Sequence, residues 1–284
     1  MPIRRIVSHR LYAVACLALF AGGLRAELIP LSQVPPAVQK GIQAQLGNGT
    51  LGNGTLGKID RDEEEGQTVF TAEISKAGPG RDYTFSEAGE LLRTEVFLTE
   101  APPAVQKAIR NLVAQGKLAS IDKTVEEGEV RYDFDWKTKE GVDRSASVLE
   151  SGELESLQVS LQETPPAVQA AITQEAGSGQ IKDVVKSFED KAVYYDVTIQ
   201  RDGKDRDFTM RENGKLESRQ VFLEEIPAPA QQTIQKTIGA GKVLRIDQVF
   251  EKKKNVFPFE VESVIDGKAY DFSVGPKGLF LGVD

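Results

Sequence analysis

The sequence predicts an α+β fold of four tandem repeats, each one short helix packed on a four-stranded antiparallel meander sheet. Two observations support this prediction. A proline-rich segment recurs four times at nearly constant spacing, and each copy is followed by segments in which apolar and polar residues alternate. Self-similarity at a fixed period is the signature of repeat architectures, and strict alternation indicates half-buried strands.

The repeat boundaries follow from the first proline of each recurring segment. These prolines are Pro35, Pro102, Pro165 and Pro227, with successive spacings of 67, 63 and 62 residues. The first spacing is longer because the pentapeptide "LGNGT" occurs twice in succession from Leu46. We interpret one copy as a spacer inserted into a loop, since surface loops tolerate insertions and no Lys-Ser/Thr pair of a phosphate loop follows the glycines. The predicted repeats are residues 31–97, 98–160, 161–222 and 223–284.

Each repeat is predicted to begin with a helix of about three turns. Paired prolines suit the first turn of a helix, and a glycine that follows each apolar stripe is a common stop signal. A helix of this length is marginal by itself in water. We therefore expect each helix to lie on the sheet that follows it.

The strands of each repeat are predicted from alternation. In the second repeat, Tyr132, Phe134 and Trp136 share one face of a strand, whereas Arg131 and Asp133 share the other. A further alternating strand, a glycine turn and a fourth strand follow in each repeat. The apolar face of the meander is expected to cover the helix. The four repeats are expected to pack in pairs that share a sheet, with four independent domains as the alternative.

The first 26 residues have the layout of a secretory signal peptide. A basic stretch precedes the apolar run "LYAVACLALFAGG", which is too short to span a bilayer as a helix. Cleavage is expected near Ala26, with Gly23 as the alternative, and a lipoprotein site at Cys16 is a further alternative. The sequence thus predicts a periplasmic or secreted protein whose mature chain has no membrane span.

Removal of this segment restricts the chemistry of the mature chain. The only cysteine and the only histidine leave with it, together with four arginines, so the formal charge falls from −8 to −12. Disulfides, Cys or His ligands for zinc and Ser-His-Asp or Cys-His catalytic arrangements are then excluded. Such an acidic chain is also a poor match for nucleic acid. We predict a protein that is not an enzyme and that needs no metal or other cofactor.

A resemblance to a known family rests on the pattern of hairpin turns and apolar spacing. The clearest copies are "YYDVTIQRDGKDRDFTMRENGKL" and "FEVESVIDGKAYDFSVGPKGL", at residues 194–216 and 259–279. This pattern resembles the PepSY domain and the related repeat of the β-lactamase-inhibitor-protein type, across residues 31–284. The resemblance implies an exported, non-catalytic protein that binds or inhibits hydrolases, peptidases especially. We do not extend it to inhibition of β-lactamases.

The polar face of the predicted sheets is the candidate binding surface. A pair of polar residues recurs on the third strand of each repeat, and Tyr and Arg are enriched at interface hot spots. Ordinary polar-out alternation on an antiparallel sheet is the alternative explanation. The candidate binding residues are Arg131, Asp133, Tyr194, Asp82, Thr84, Asp207, Thr209, Asp271 and Ser273.

The first hairpin tip of each repeat is charged, and the charge changes along the chain from −4 at residues 62–65 to +2 at residues 251–254. A solvated turn is the simplest explanation. Head-to-tail contact between molecules through these tips would instead give a structural or envelope-associated protein that binds itself. Calcium binding by residues 60–66 is a further alternative, although the twelve-residue spacing of an EF-hand loop is lacking.

Overall fold

A computed structural model describes most of the chain after the predicted signal peptide. The described residues are 27–47, 54–64, 67–76, 78–126, 128–189, 191–250 and 257–283. The predicted signal peptide, most of the doubled pentapeptide and part of each charged hairpin tip lie outside them. The chain divides into two compact units, which we call the N-terminal unit (residues 27–157) and the C-terminal unit (residues 158–284).

The described residues contain four α-helices and 18 strands. The helices are α1 (Pro36–Leu46), α2 (Pro103–Val113), α3 (Pro166–Ala176) and α4 (Ala228–Ile238). The N-terminal unit has strands β1 (Glu27–Leu28), β2 (Thr55–Glu64), β3 (Gln67–Ser75), β4 (Gly80–Ser86), β5 (Leu91–Glu95), β6 (Lys117–Glu126), β7 (Glu129–Lys137), β8 (Asp143–Leu149) and β9 (Leu154–Gln158). The C-terminal unit has strands β10 (Gln180–Glu189), β11 (Ala192–Arg201), β12 (Lys204–Arg211), β13 (Leu216–Gln220), β14 (Lys242–Val249), β15 (Phe259–Ile265), β16 (Lys268–Ala269), β17 (Phe272–Val274) and β18 (Phe280–Val283).

Every α-helix begins where the sequence places its prolines. Pro35, Pro102, Pro165 and Pro227 each hold the N-cap position, in an extended backbone conformation, and an 11-residue helix follows. Proline fits there because a helix leaves its first N–H groups unpaired in any case. A single 3₁₀ turn precedes each helix. These turns are Leu31–Gln33, Leu98–Glu100, Leu161–Glu163 and Leu223–Glu225.

One ion pair fixes the approach to a helix in each unit. In the N-terminal unit, Arg81 on β4 donates to Glu100 at 2.7 Å, and the other oxygen of Glu100 accepts the N–H of Phe97 at 2.8 Å. The Arg81 guanidinium also lies 4.4 Å from the centre of the Phe97 ring. We call this group the N-terminal clamp, because it ties the strand to the turn that leads into α2.

The C-terminal clamp has the same kinds of residue, but its arginine donates two hydrogen bonds to the glutamate instead of one. Arg206 on β12 donates two hydrogen bonds to Glu225, at 2.9 and 2.7 Å, and Glu225 accepts the N–H of Phe222 at 2.9 Å. Paired bonds of this kind are stronger than single ones. The Arg206 guanidinium lies 4.7 Å from the centre of the Phe222 ring.

The strands of each unit form one continuous antiparallel sheet. In the N-terminal unit, β1 to β9 pair in chain order, and β5 joins β6 through Arg93 opposite Thr124 and Glu95 opposite Asp122. In the C-terminal unit, β10 to β15 pair in chain order, β15 pairs with both β16 and β17, and β17 pairs with β18.

The predicted fold class was therefore wrong. The strands do not form four separate four-stranded sheets, since the described chain has 18 antiparallel strands and pairing continues from β5 to β6 and from β13 to β14. A fourth strand that ended its own sheet would leave a row of unpaired N–H and C=O groups. Pairing with the next strand along the chain satisfies those groups.

The helices lie on the apolar face of these sheets. In the N-terminal unit, Val38 and Ile42 of α1 pack against Phe70 and Phe85, and all four are at most 3% exposed. The part of the core under α2 contains the stacked rings of Phe134 and Trp136, 5.3 Å apart. In the C-terminal unit, α3 and α4 bury their apolar stripes in the same way. These residues are Val168, Ile172, Ala230 and Ile234.

Candidate binding face

The candidate binding site lies on the sheet face that points away from the helices, which we call the polar face. Successive side chains of a strand point to opposite faces, so the residues between the core positions belong to it. They are mostly Asp, Glu, Ser, Thr and Arg, and several are half-buried or buried although no helix covers them. Hydrogen bonds between side chains of neighbouring strands hold many of these residues against one another.

In the N-terminal unit, Asp133 is the centre of a hydrogen-bonded cluster on β6, β7 and β8. The hydroxyl of Thr124 donates to Asp133 at 2.7 Å, and the hydroxyl of Ser147 donates to its other oxygen. The Nε of Arg131 donates to Asp133 at 3.3 Å. Three donors on one carboxylate fix its orientation, so the cluster is organised before any ligand arrives.

A second group on this face consists of three acidic residues. Asp82 on β4, Glu95 on β5 and Asp122 on β6 form a row across three neighbouring strands, which we call the acidic triad. The backbone N–H of Asp82 donates to Glu95 at 3.3 Å, and Glu95 lies opposite Asp122 in the sheet. Asp133 lies opposite Asp122 on the next strand.

The environment of the two aspartates of the acidic triad disfavours their negative charges. Burial raises the pKa of Asp122 to about 6, with Arg93 opposing the change and nearby carboxylates, Glu95 among them, adding to it. Burial likewise raises the pKa of Asp82, against the opposing charge of Lys58. Both effects follow from the loss of water around a carboxylate and from like charges close by.

The C-terminal unit has a corresponding row that includes a cation. Asp207 on β12, Gln220 on β13 and Asp247 on β14 occupy equivalent register positions, and we call them the bridged triad. The backbone N–H of Asp207 donates to Gln220 at 3.3 Å, and Gln220 lies opposite Asp247. The side chain of Arg245 lies between the two aspartates.

Arg245 contacts both carboxylates of the bridged triad. Its Nη1 donates to Asp207 at 2.8 Å, and its Nε and Nη2 donate to the two oxygens of Asp247 at 2.5 and 3.0 Å. Only 19% of the Arg245 side chain is exposed. Burial by itself would lower the pKa of Arg245, but Asp247 and Asp207 outweigh burial and raise it. The guanidinium is therefore held as a cation.

Three further hydroxyl–carboxylate hydrogen bonds lie on the polar face of the C-terminal unit. Asp196 accepts hydrogen bonds from Ser187 and Thr209, each at 2.7 Å. Thr198 donates to Asp207 at 2.8 Å. Such side-chain pairs across strands stabilise a sheet by ~0.2–1 kcal/mol each.

The predicted site residues are less exposed than a binding surface would suggest. Thr84, Thr209 and Tyr194 are 5%, 2% and 8% exposed. The other six are half-buried, and they are Arg131, Asp133, Asp82, Asp207, Asp271 and Ser273. None of the nine is fully exposed, and their role in binding stays a prediction.

The structure brings some of the predicted residues together and separates others. Arg131 and Asp133 form an ion pair, whereas Thr84 contacts Thr71 at 3.0 Å. Tyr194 lies under the Arg211 guanidinium, 5.6 Å from the centre of its ring. Asp271 falls outside the strands, between β16 and β17, and Ser273 lies in β17.

Several charged residues of this face were not among the predicted ones, Glu95 among them. For three of these, Asp122, Asp247 and Arg245, a signal exists in the sequence. Both aspartates follow an inward-facing isoleucine in the first strand after a helix, and the residue two positions earlier is Ser120 in one case and Arg245 in the other. Comparison of "SID" with "RID" would have identified the difference in charge.

Two other kinds of site, a metal centre and a membrane-spanning helix, are absent from the described residues. Within the part of the chain that the structure describes, no group of three or more Asp, Glu, His or Cys side chains is placed to hold a metal ion. No helix in the same part is long and apolar enough to cross a membrane. At the hairpin tips, Glu65, Glu127, Asp190 and residues 251–254 lie outside the described residues. The proposed tip-to-tip contact therefore stays a prediction.

Comparison with known proteins gave matches to solved structures alone. No protein family model matches the chain, and no curated protein matches it. A DUF2874 family protein from Bacteroides ovatus is 16% identical, with a TM-score of 0.33, and the match covers 43% of this chain and 86% of that one. A BLIP-like protein from Bacteroides fragilis is 20% identical, with a TM-score of 0.30 and coverage of 41% and 82%.

A third match, from Bacteroides thetaiotaomicron, is provisionally named a calcium-regulated periplasmic protein. It is 17% identical, with a TM-score of 0.30, and the match covers 45% of this chain and 96% of that one. Identities and TM-scores this low assign neither a family nor an activity to the chain.

Proposed function

We propose that the chain is an exported protein-binding module, and that the polar face of its N-terminal unit contacts the partner. The partner that we propose is an exported hydrolase, whose activity the protein would inhibit or regulate. The observation that supports this proposal is the hydrogen-bonded cluster around Asp133. Polar groups that are already oriented lose little freedom on binding, and this favours affinity.

Binding is proposed in preference to catalysis because of the side chains available. Residues 27–284 contain no Cys or His, which are the usual nucleophile and general base at many active sites. Arg131, on β7 of the N-terminal unit, is of a residue type that dominates interface energetics. Export is proposed from the signal-peptide pattern of residues 1–26.

A capture experiment tests the proposed function. Residues 27–284 would be immobilised and exposed to the exported proteins of the source cells at low and moderate salt, and captured proteins would be identified by mass. We expect one hydrolase that stays bound at moderate salt. The Arg131→Ala variant should bind it about tenfold more weakly, which is the usual effect of losing a hot-spot arginine.

The matched control for this experiment is Lys107→Ala, because Lys107 is exposed on α2 and lies away from the polar face. This control should bind the hydrolase as the wild type does. Equal binding by both variants would contradict the proposed contact surface. Recovery of the immobilised protein's own copies alone, lost as salt rises, would contradict the proposed function and favour self-association.

A further inference from the structure

The acidic triad and the bridged triad share one backbone arrangement. Each row crosses three neighbouring strands, and each has a side chain on its middle strand that accepts the N–H of the first aspartate at 3.3 Å. In each row the middle residue lies opposite the second aspartate. The acceptor is Glu95 in one unit and Gln220 in the other. Equivalent carboxylates therefore face the same side of the sheet in both units.

The two rows differ in the residue two positions before the second aspartate. In the C-terminal unit this residue is Arg245, whose guanidinium donates to both Asp207 and Asp247. In the N-terminal unit it is Ser120, whose hydroxyl donates to Asp135 at 3.1 Å. A serine is too short to bridge two carboxylates on different strands, so the acidic triad has no bridge of its own.

The cations near the acidic triad are paired with other carboxylates. Arg93 binds Glu64 at 2.5 Å, and Arg131 binds Asp133 at 3.3 Å. Among the described residues, no Lys or Arg forms an ion pair with a carboxylate of the acidic triad. The three half-buried carboxylates thus keep acceptor oxygens for a cation from outside the chain.

We infer that the acidic triad binds the guanidinium of an arginine on the partner protein, in the position that Arg245 takes in the C-terminal unit. This inference rests on the proposed function and specifies the partner's chemistry. The independent observation that supports it is that the equivalent positions already hold a guanidinium within the same chain. The raised pKa of Asp122 is consistent with a site that lacks its cation.

Arginine fits this site better than lysine or a metal ion. A planar guanidinium can give two bonds to Asp122 and a third to Asp82, as Arg245 does with Asp247 and Asp207, whereas an ammonium is a compact point charge. The described carboxylates are not placed to hold a metal ion. The site should therefore distinguish a guanidinium from an uncharged group of the same shape.

A peptide titration tests the inference without knowledge of the partner. The probe is acetyl-Gly-Arg-Gly-amide, and its control is the same peptide with citrulline, which keeps the shape and removes the charge. The carboxyl carbon resonances of residues 27–284 would be followed by NMR at pH 7. We expect the arginine peptide to shift the resonances of Asp82, Glu95 and Asp122 and to lower the pKa of Asp122 from about 6.

Variants at position 120 make the test specific. Ser120→Arg should supply the guanidinium from within the chain, lower the pKa of Asp122 without peptide and weaken peptide binding at least about tenfold. Ser120→Gln, similar in polarity but uncharged, should leave binding within about twofold of the wild type. Should Ser120→Arg fail to fold, Asp122→Asn serves instead, and it should weaken binding about threefold or more.

The outcomes separate this inference from the proposed function. Equal shifts with the citrulline peptide, or undiminished binding by Ser120→Arg, would overturn the inference. Capture of a hydrolase that Ser120→Arg binds as strongly as the wild type would overturn it too, while the proposed function stands. Specific binding of the arginine peptide without any captured partner supports the inference and counts against the proposed function.

Discussion

The polar faces of the two units carry different charges on the same strand register. In the C-terminal unit, Arg245 neutralises the aspartates of the bridged triad, and the side chains of this row satisfy one another. In the N-terminal unit, Ser120 stands at the equivalent place, and three carboxylates lie side by side without a bridge. The residue on the first strand after α2 or α4, Ser120 or Arg245, therefore decides whether the row has a bridging guanidinium from within the chain.

This difference has an energetic consequence. Half-buried carboxylates without a cation destabilise the folded state, because they lose water and repel one another. Residues at functional sites often lower the stability of the folded state, because the arrangement that function needs is not the most stable one. The acidic triad fits this pattern, and the bridged triad does not. The comparison thus supports the proposal that a partner contacts the N-terminal unit.

The largest expected effect follows from opening the bridged triad. Arg245→Ser gives the C-terminal unit the residue that the N-terminal unit has at this place. We expect a loss of about 2–3 kcal/mol in the free energy of unfolding, because Asp207 and Asp247 would stay partly buried without their cation. Amide hydrogen exchange of β12 and β14 would measure this loss locally.

A control on the same strand separates loss of the bridge from loss of any cation. Lys242→Ser removes an exposed lysine at the start of β14 and should change the free energy by less than about 0.5 kcal/mol. Equal exchange rates in Arg245→Ser and the wild type would show that the bridge contributes nothing, and the contrast between the two rows would then have no energetic basis.

The next effect concerns the acidic triad and has the opposite sign. Asp122→Asn removes a carboxylate whose pKa is raised by burial to about 6. We expect this variant to be more stable than the wild type by about 1 kcal/mol at pH 7, a value reduced for the residue's partial exposure to solvent. Fluorescence of Trp136, the only tryptophan, would follow urea unfolding of the N-terminal unit.

The pH dependence of this effect is set by the direction of the pKa shift. Since the folded pKa of Asp122 exceeds the ordinary value of 3.8, the wild type binds more protons when folded, and it loses stability as pH rises from about 4 to about 6. The advantage of Asp122→Asn should therefore be absent below pH 4 and complete above pH 6. An advantage independent of pH would show that charge is not its cause.

The sequence predicts the elements of this fold better than their assembly. Prolines and apolar stripes place all four helices correctly, because both signals depend on the local backbone. Alternation assigns residues such as Tyr132 and Asp133 to faces of a strand. It carries no information on which strand edge lies beside which, so it could not show that β5 pairs with β6, and the predicted four-stranded sheets were wrong for this reason.

The same limit applies to the candidate site. Thr84 and Thr209 were placed on a polar face by alternation, but both are buried, and their contacts with Thr71 and Asp196 depend on how neighbouring strands pair. The triads depend on the register between β5 and β6 and between β13 and β14, and alternation along one strand does not give that register. The charge difference between Ser120 and Arg245 was visible in the sequence, yet its meaning required the register.

The smallest expected effects come from the N-terminal and C-terminal clamps, which contain the same kinds of residue but differ in the number of hydrogen bonds between arginine and glutamate. Glu225 accepts two hydrogen bonds from Arg206, whereas Glu100 accepts one from Arg81. We expect Glu225→Gln to cost about 1 kcal/mol and Glu100→Gln about 0.5 kcal/mol, both reduced by exposure to solvent. Hydrogen exchange of the turns before α2 and α4 would measure each loss.

The clamps also give a pH test whose sign is opposite to that of the acidic triad. Hydrogen bonds from the arginines lower the pKa of Glu100 and Glu225 below the ordinary value of 4.5. Their contribution is therefore complete above about pH 4.5 and is lost as pH falls through the lowered pKa. In the N-terminal unit, Glu100→Gln should thus lose its effect only below about pH 4.5, whereas Asp122→Asn already loses its advantage as pH falls from about 6 to about 4. A Glu100→Gln cost that persisted in strong acid would mean that the clamp acts through packing on Phe97 and not through charge.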